Sequence, residues 1–173
     1  MTKYRKVVVL GNRAVGKTSL TLQFIKEEFP QDYKPSEDQY WTKQFSIDGV
    51  GYEICVVSEV DGYVIVYSVD SPRSFRIASK LFRKLQDHRG RRRMPVVLVG
   101  NKKDLPPECH TVSPEEGRAV ADVWDAPFME VSAKDLEESR KVFCKIIKEI
   151  DGLNRPLPAP QTFKPQKRCR ECL

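Results

Sequence analysis

The sequence lacks any apolar run of about 18 or more residues, so no transmembrane helix is predicted. Its first residues also lack the apolar stretch and the small-residue cleavage site of a secretory signal peptide. We therefore expect a cytoplasmic protein. The 173 residues, 40% of them hydrophobic and 31% charged, fit one globular domain and are too few for two ordinary ones.

The number and spacing of the cysteines also do not indicate a disulfide framework. The five cysteines are an odd number at scattered spacings, which in a cytosolic chain favours free thiols. Cys169 and Cys172 form a C-x-x-C pair, but no second pair and no nearby histidine complete a zinc site. An exposed thiol pair is the simpler interpretation.

The charge is unevenly distributed. The chain has 30 basic and 24 acidic residues, a net charge of +6, and residues 154–173 carry five basic and one acidic residue, a net charge of +4. Such a tail suits an anionic membrane surface as readily as nucleic acid. The run Arg89–Arg93 fits a solvated loop, or a patch for an acidic partner or a phosphoinositide. Because no aromatic residues are interleaved with these charges, we expect no nucleic-acid partner.

Short apolar runs alternate with helical patterns, which predicts an α/β fold with a mostly parallel sheet. Asp48-Gly49 predicts a hairpin turn between the second and third strands. Ser71 and Ser113 each precede a proline and predict helix N-caps. The predicted strands are Lys6–Leu10, Trp41–Ile47, Tyr52–Val57, Tyr63–Val69, Val96–Val99 and Phe128–Val131, and the predicted helices are Lys17–Glu28, Pro72–Asp87, Pro114–Trp124 and Leu136–Ile150.

The segment Gly11–Thr18 matches the phosphate-binding pattern G-x-x-x-x-G-K-[ST] between a predicted strand and a predicted helix. Backbone N–H groups and the helix N-terminus would surround a phosphate, Lys17 would reach the β- and γ-phosphates, and the Thr18 hydroxyl would bind Mg²⁺. A glycine turn that merely resembles the motif is the alternative. The candidate phosphate-binding residues are Arg13, Ala14, Val15, Gly16, Lys17, Thr18 and Ser19.

The segment Asn101–Asp104 indicates which base would bind. Asp104 follows a predicted strand, and its carboxylate can accept both the ring N–H and the exocyclic amino group of guanine, whereas adenine presents the opposite pattern. A P-loop kinase or an ATPase is therefore a distant alternative. A further loop after the last strand could meet the guanine carbonyl oxygen. The candidate base-binding residues are Asn101, Lys102, Asp104, Ser132, Ala133 and Lys134.

These motifs resemble the Ras superfamily over residues 3–153, and Arg13 and the segments Gly62–Val69 and Pro95–Leu105 resemble its Rheb branch. The resemblance implies a three-layer P-loop fold over residues 1–153, binding GTP and GDP with Mg²⁺, followed by a flexible basic tail, 154–173. It implies that Phe29 packs against the guanine edge. It also places Tyr33 and Ser36 in the first switch, with Ser36 as a second Mg²⁺ ligand, and it implies effector and regulator proteins as partners.

One segment of that family pattern is absent. The family has D-x-x-G-Q after its third strand, which holds Mg²⁺, senses the γ-phosphate and orients the attacking water. Only residues 58–62 separate the predicted third and fourth strands here. We interpret this as an internal deletion that removes the second-switch helix. Because a parallel crossover ordinarily needs a dozen or more residues, we expect either a displaced β-hairpin or a rearranged sheet, and an uncovered part of one sheet face.

Three hypotheses follow from this combination. The chain is a slow GTPase switch, a pseudo-GTPase that holds nucleotide or a partner without cycling, or an unstable deletion product. The end of the sequence also departs from the C-a-a-X prenylation pattern, because Arg170 stands fourth from the last residue. Contact with the cytosolic face of a membrane would then depend on the basic tail, with palmitoylation of Cys169 or Cys172 as a further route.

Overall fold

The computed structural model describes residues 3–29, 60–90 and 93–153 with side chains, and residues 42–47 and 50–55 by their backbone. A short 3₁₀ turn covers Pro107–Cys109. The strands are β1 Lys3–Gly11, β2 Thr42–Ile47, β3 Val50–Cys55, β4 Gly62–Ser68, β5 Val96–Asn101 and β6 Phe128–Glu130; the helices are α1 Lys17–Lys26, α2 Pro72–Arg89, α3 Pro114–Val123 and α4 Leu136–Leu153.

The six strands form one sheet in the order β2-β3-β1-β4-β5-β6. All neighbouring strands are parallel except β2 and β3, which form an antiparallel hairpin. Helices α1 and α4 pack on one face and α2 and α3 on the other, so the three-layer α/β prediction is confirmed. Every predicted strand and helix exists, with ends that differ by up to three residues.

Strand β4 shows how the two cores form. Val64 and Val66 point into the cluster beneath α1 and α4, and Ile65 and Tyr67 into the cluster beneath α2 and α3. Because both faces of a parallel strand are covered, every residue of β4 is buried. The apolar stripe of α4 is buried in the first cluster; its members are Val142, Phe143, Ile146, Ile147 and Ile150.

The short connection between β3 and β4 is accommodated by a displaced hairpin. Strand β3 pairs only with the first part of β1, ending with Cys55 opposite Lys6, and β4 begins with Gly62 opposite Val7. The end of β3 and the start of β4 therefore lie on opposite sides of β1 at neighbouring levels, about 10 Å apart, a distance that six residues can span. The strand order is thus kept, and of the two expected outcomes the displaced hairpin is the one observed.

Three interactions hold the start of β4. The Asp61 N–H donates to the Lys6 carbonyl, and the Lys6 N–H donates to Asp61 Oδ2, each at 2.8 Å. Arg89 Nη2 donates to the Val60 carbonyl at 2.6 Å. A Cβ on Gly62 would lie 2.9 Å from atoms of Ile146. Glycine at this position therefore allows β4 to begin directly beneath α4.

Strand β1 is less well covered than β4. Of its nine residues only Val7 is buried. Val8 and Leu10 pack against the α2–α3 cluster but stay partly exposed, whereas Ile65 and Leu98 in the same cluster are fully buried. The face of β1 beneath α2 and α3 is therefore only partly covered.

The described residues settle two smaller expectations. No helix among them is long and apolar enough to cross a membrane. Cys109 and Cys144, the cysteines whose side chains are described, form no disulfide. The other three cysteines and the tail 154–173 lie outside the described side chains.

Candidate nucleotide-binding site

The two glycines of the phosphate loop lie where a side chain would clash. A Cβ on Gly11 would come within 2.2 Å of the Val66 carbonyl oxygen, and one on Gly16 within 2.2 Å of Asn101 Nδ2. Gly16 also has a left-handed conformation, with φ of 94°. Both positions therefore need glycine for contact with neighbouring strands as well as for the turn.

Helix α1 begins without a side-chain cap. Its N-cap position is Gly16, which has no side chain to cap the helix, and its first turn has no acidic residue. The other three helices are capped by Ser71, Ser113 and Asp135, whose side chains accept from backbone N–H groups. The start of α1, with the positive end of its dipole, is therefore a place for an anion at the end of the phosphate loop.

The ammonium of Lys17 folds back over this loop. Its Nζ donates to the carbonyls of Gly11 and Asn12 at 3.1 and 2.7 Å. Half-burial lowers the pKa of Lys17 from its usual value. The group is held at the centre of the loop, where a β- or γ-phosphate would accept from it. Arg13 and Ala14 lie exposed on the same loop, Val15 is buried beneath it, and Thr18 and Ser19 are in the first turn of α1.

Asn101 joins the phosphate loop to the two base loops. Its Nδ2 donates to the Val15 carbonyl at 2.8 Å, and its Oδ1 accepts from the Ala133 N–H at 2.9 Å. The side chain is 2% exposed and lies at the carboxyl end of β5. A single buried amide therefore sets the position of three loops that are separated by some 30 to 90 residues in the chain.

Asp104 is held as a carboxylate. Its Oδ1 accepts from Ser132 Oγ at 2.8 Å, and its Oδ2 forms an ion pair with Lys134 Nζ at 2.8 Å. Partial burial acts to raise the pKa of Asp104, but the hydrogen bonds from Lys134 and Ser132 outweigh it and hold that pKa below its usual value. The group is therefore a charged acceptor at neutral pH, as recognition of two guanine N–H groups requires.

These groups surround a cavity of about 220 Å³. Phe29 forms one wall, with Lys134 Nζ 6.0 Å from the centre of its ring. The volume is below that of a typical complete ligand pocket and suits one ring system, with phosphates lying on the open loop beside it. The lining residues are Gly16, Ser19, Phe29, Asn101, Lys102, Asp104, Leu105, Ala133 and Lys134.

Two residues of this region were missed by the sequence interpretation. Leu105 lines the cavity directly after Asp104, and adjacency to the motif was the available signal. Asp70 pairs with Lys102 Nζ at 3.6 Å, a contact between separate loops that no local pattern indicates. Tyr33 and Ser36, predicted for the first switch, lie outside the described residues.

Comparison with known proteins identifies the family. The model of the Ras family matches residues 6–57 and 52–152. The chain belongs to the Ras family. The relatives place it in the Rheb branch: it is 42% identical to mouse GTPase RhebL1 over 87% of this chain and 90% of the relative. It is 37% identical to human GTP-binding protein Rheb, over 88% and 91% of the two chains.

The displaced hairpin of β2 and β3 affects one side of this Ras-family site. We call it the switch side, because the family pattern has its two switch segments there. Asp61 is bound to Lys6, five residues before the end of β1, which places it about 16 Å along the strand from the phosphate loop. From there its carboxylate does not reach the phosphate loop. The described residues contain no cluster of three or more acidic, histidine or cysteine side chains for a metal. Of the two predicted Mg²⁺ ligands, only Thr18 is described.

Proposed function

We propose that this Ras-family chain binds GDP and GTP, with Mg²⁺, as a component of intracellular signal transduction, and that it hydrolyses GTP very slowly. The observation that supports the proposal is that the candidate base-binding and phosphate-binding groups border one cavity and are connected by one side chain. The Asp104 carboxylate stands at one end of the cavity and the uncapped start of α1 at the other, and Asn101 bonds to both loops.

The chain's own groups account for binding. Asp104 would accept from the two guanine N–H groups, Phe29 would cover the ring, and the N–H groups that begin α1 would donate to the β-phosphate. Lys17 would move from the Gly11 and Asn12 carbonyls to phosphate oxygens. Mg²⁺ would offset charge on the phosphates, with Thr18 and Ser36 as its protein ligands.

Slow hydrolysis follows from what the site does not position. Phosphoryl transfer depends on orienting the attacking water and stabilising charge at the γ-phosphate. The connection that would carry those groups in the family pattern instead joins β3 and β4 at the level of Lys6 and Val7. Relatives named as GTPases support the reaction class, and the displaced hairpin supports the loss of rate.

The test is to purify the full chain with Mg²⁺, release bound ligand by heat and identify it by ion-exchange chromatography. We expect about one guanine nucleotide per chain, mostly GTP, because the chain holds the base but turns over slowly. Single-turnover hydrolysis of added GTP should then be slower than in human Rheb measured side by side. Asp104→Asn, purified in parallel, is the matched control and should carry little guanine nucleotide.

The other outcomes are equally decisive. Recovery of GDP together with turnover equal to human Rheb would contradict impaired hydrolysis while leaving binding intact. An empty chain that takes up no GDP on incubation would contradict nucleotide binding and would leave a partner-binding variant or an unstable product. Recovery of ADP or ATP would contradict the assigned role of Asp104.

A further inference from the structure

Helix α2 carries a stripe of positive charge on its outer face. The stripe consists of five exposed cations, Arg73, Arg76, Lys80, Arg83 and Lys84. At 3.6 residues per turn they fall within an arc of about 100°, and they extend over about 16 Å of the helix axis. Asp87 is the single acidic residue of this 18-residue helix. Asp87 falls within the same arc, one turn beyond Arg83, so the stripe is of one sign from Arg73 to Lys84.

These cations have no acidic partners among the described residues, whereas those of the other long helix do. None of the five takes part in an ion pair with a described residue, although several ion pairs exist elsewhere. On α4, by contrast, Arg140 pairs with Glu137 and Lys145 pairs with Glu149. Mutual repulsion within the α2 stripe is thus not offset inside the described fold.

The chemistry of the stripe indicates the kind of partner. The exposed large apolar side chains of the described residues are Tyr4, Phe29 and Val123, and none of them lies on α2. A protein interface would require a buried aromatic or aliphatic anchor, and single-stranded nucleic acid would require an aromatic stacking platform. Positive charge without either suits a diffuse anionic surface.

The fold also brings the ends of α2 and α4 to one edge of the sheet. Helices α2 and α4 both run back from the carboxyl ends of their preceding strands. Arg89 at the end of α2 bonds to Val60, next to the start of β4, and Asp151 near the end of α4 pairs with Lys3 and Arg5 at the start of β1. Leu153, the last residue of α4, directly precedes the basic sequence 154–173.

We infer that the outer face of α2 is a docking surface for an anionic lipid bilayer, acting together with the basic tail. The tail supplies a net charge of +4 on 20 residues, and the helix supplies five cations at fixed positions. Two separate weak attachments on one chain bind cooperatively, because the first raises the effective concentration of the second. The inference is independent of nucleotide binding, since the stripe contains no residue of the cavity.

The experiment is sedimentation of the full chain with vesicles of phosphatidylcholine, with or without phosphatidylserine. Two variants remove equal charge: Lys80→Gln with Arg83→Gln on α2, and Arg118→Gln with Lys141→Gln on α3 and α4. We expect the α2 pair to weaken binding to the anionic vesicles about twentyfold, and the control pair less than about threefold. Binding should also weaken as salt is raised from low to physiological strength.

Circular dichroism and bound-nucleotide content show whether each variant is folded and keep this result separate from the proposed function. Removing the tail cations with Lys164→Gln and Lys167→Gln measures the second attachment. Equal weakening by both charge-matched pairs would overturn the inference, because net charge alone would then suffice. So would unchanged vesicle binding by the α2 pair, or a wild-type chain that binds duplex DNA but not anionic vesicles.

Discussion

The two sides of the nucleotide site differ in how they are built. On the base side, β4 and β5 are buried along their whole length, and Asn101, Asp104 and Ser132 are each held by hydrogen bonds between loops. On the switch side, β1 has one buried residue. Strand β3 ends opposite Lys6, five residues along β1 before the phosphate loop begins at Gly11. Recognition of the base and control of the γ-phosphate are therefore separable in this fold.

The difference has a physical cause. The candidate base-binding groups lie at the carboxyl ends of β5 and β6. The hairpin of β2 and β3 pairs with β1 only at Lys3–Lys6, and β4, β5 and β6 are paired in parallel along the rest of the sheet. Four variants test this separation.

The largest effect is expected for Asp104→Asn. The amide would present a donor to the guanine amino group, so we expect GDP affinity to fall by about a thousandfold or more. It would match the carbonyl that xanthine has at that position, so affinity for XDP should rise. Titration with fluorescent GDP and XDP measures both.

Asp122→Ala, at an exposed acidic position of α3, is the control for loss of charge and should bind GDP as the wild type does. Unchanged GDP affinity in Asp104→Asn would show that the base side is not built as described.

Next is Gly16→Ala, at the junction of the two sides. The new methyl group would meet the Asn101 amide in a left-handed backbone conformation, so we expect a loss of about 3 kcal/mol in the free energy of unfolding and loss of bound nucleotide. Thermal unfolding measures the first and chromatography the second. Gly152→Ala, in α4 with nothing within 4 Å of the new methyl group, should stabilise by about 0.5 kcal/mol. A tolerated Gly16→Ala would mean that Asn101 moves freely.

Asp61→Ala tests the attachment of the displaced hairpin. Loss of the acceptor for the Lys6 N–H should cost about 1 kcal/mol, read as a lower urea midpoint with an unchanged slope. Asp61→Asn keeps an oxygen acceptor and should remain near the wild type. GDP affinity should be unchanged in both variants, because the bond between Asp61 and Lys6 lies away from the candidate base-binding groups. A drop in affinity would show that the hairpin and the base-binding groups are coupled.

The smallest effect is expected for Tyr67→Phe, on the well-packed side. The Tyr67 hydroxyl is buried without a described partner, and burial, together with the carboxylates of Glu130 and Glu116, raises the pKa of Tyr67. Removing an unsatisfied hydroxyl should stabilise the protein by about 1 kcal/mol. Tyr63→Phe, whose ring lies under Arg89, should change stability by less than half as much. Destabilisation by Tyr67→Phe would reveal a partner for that hydroxyl.

Much of the site could be predicted because its signals are local. Gly11–Thr18 and Asn101–Asp104 carry their chemistry at fixed spacing after apolar strands, and the strand ends bring them to one edge of the sheet. The Asp70–Lys102 contact could not be predicted, because it depends on how two loops from neighbouring strands meet. Neither could the contacts that hold the Asp104 carboxylate in place, which come from Ser132 and Lys134 some 30 residues away.

The sequence by itself determined the strand and helix pattern, the phosphate-loop motif and the shortness of the connection between β3 and β4, since periodicity and motif spacing are local properties of the chain. Only the tertiary structure decided where the shortened connection goes. Pairing with β1 determines its position. Strand β3 pairs with one edge of β1 at Lys3–Lys6, and β4 pairs with the opposite edge at Val7–Gly11. Backbone hydrogen bonds on both edges hold this stagger, which no local pattern encodes.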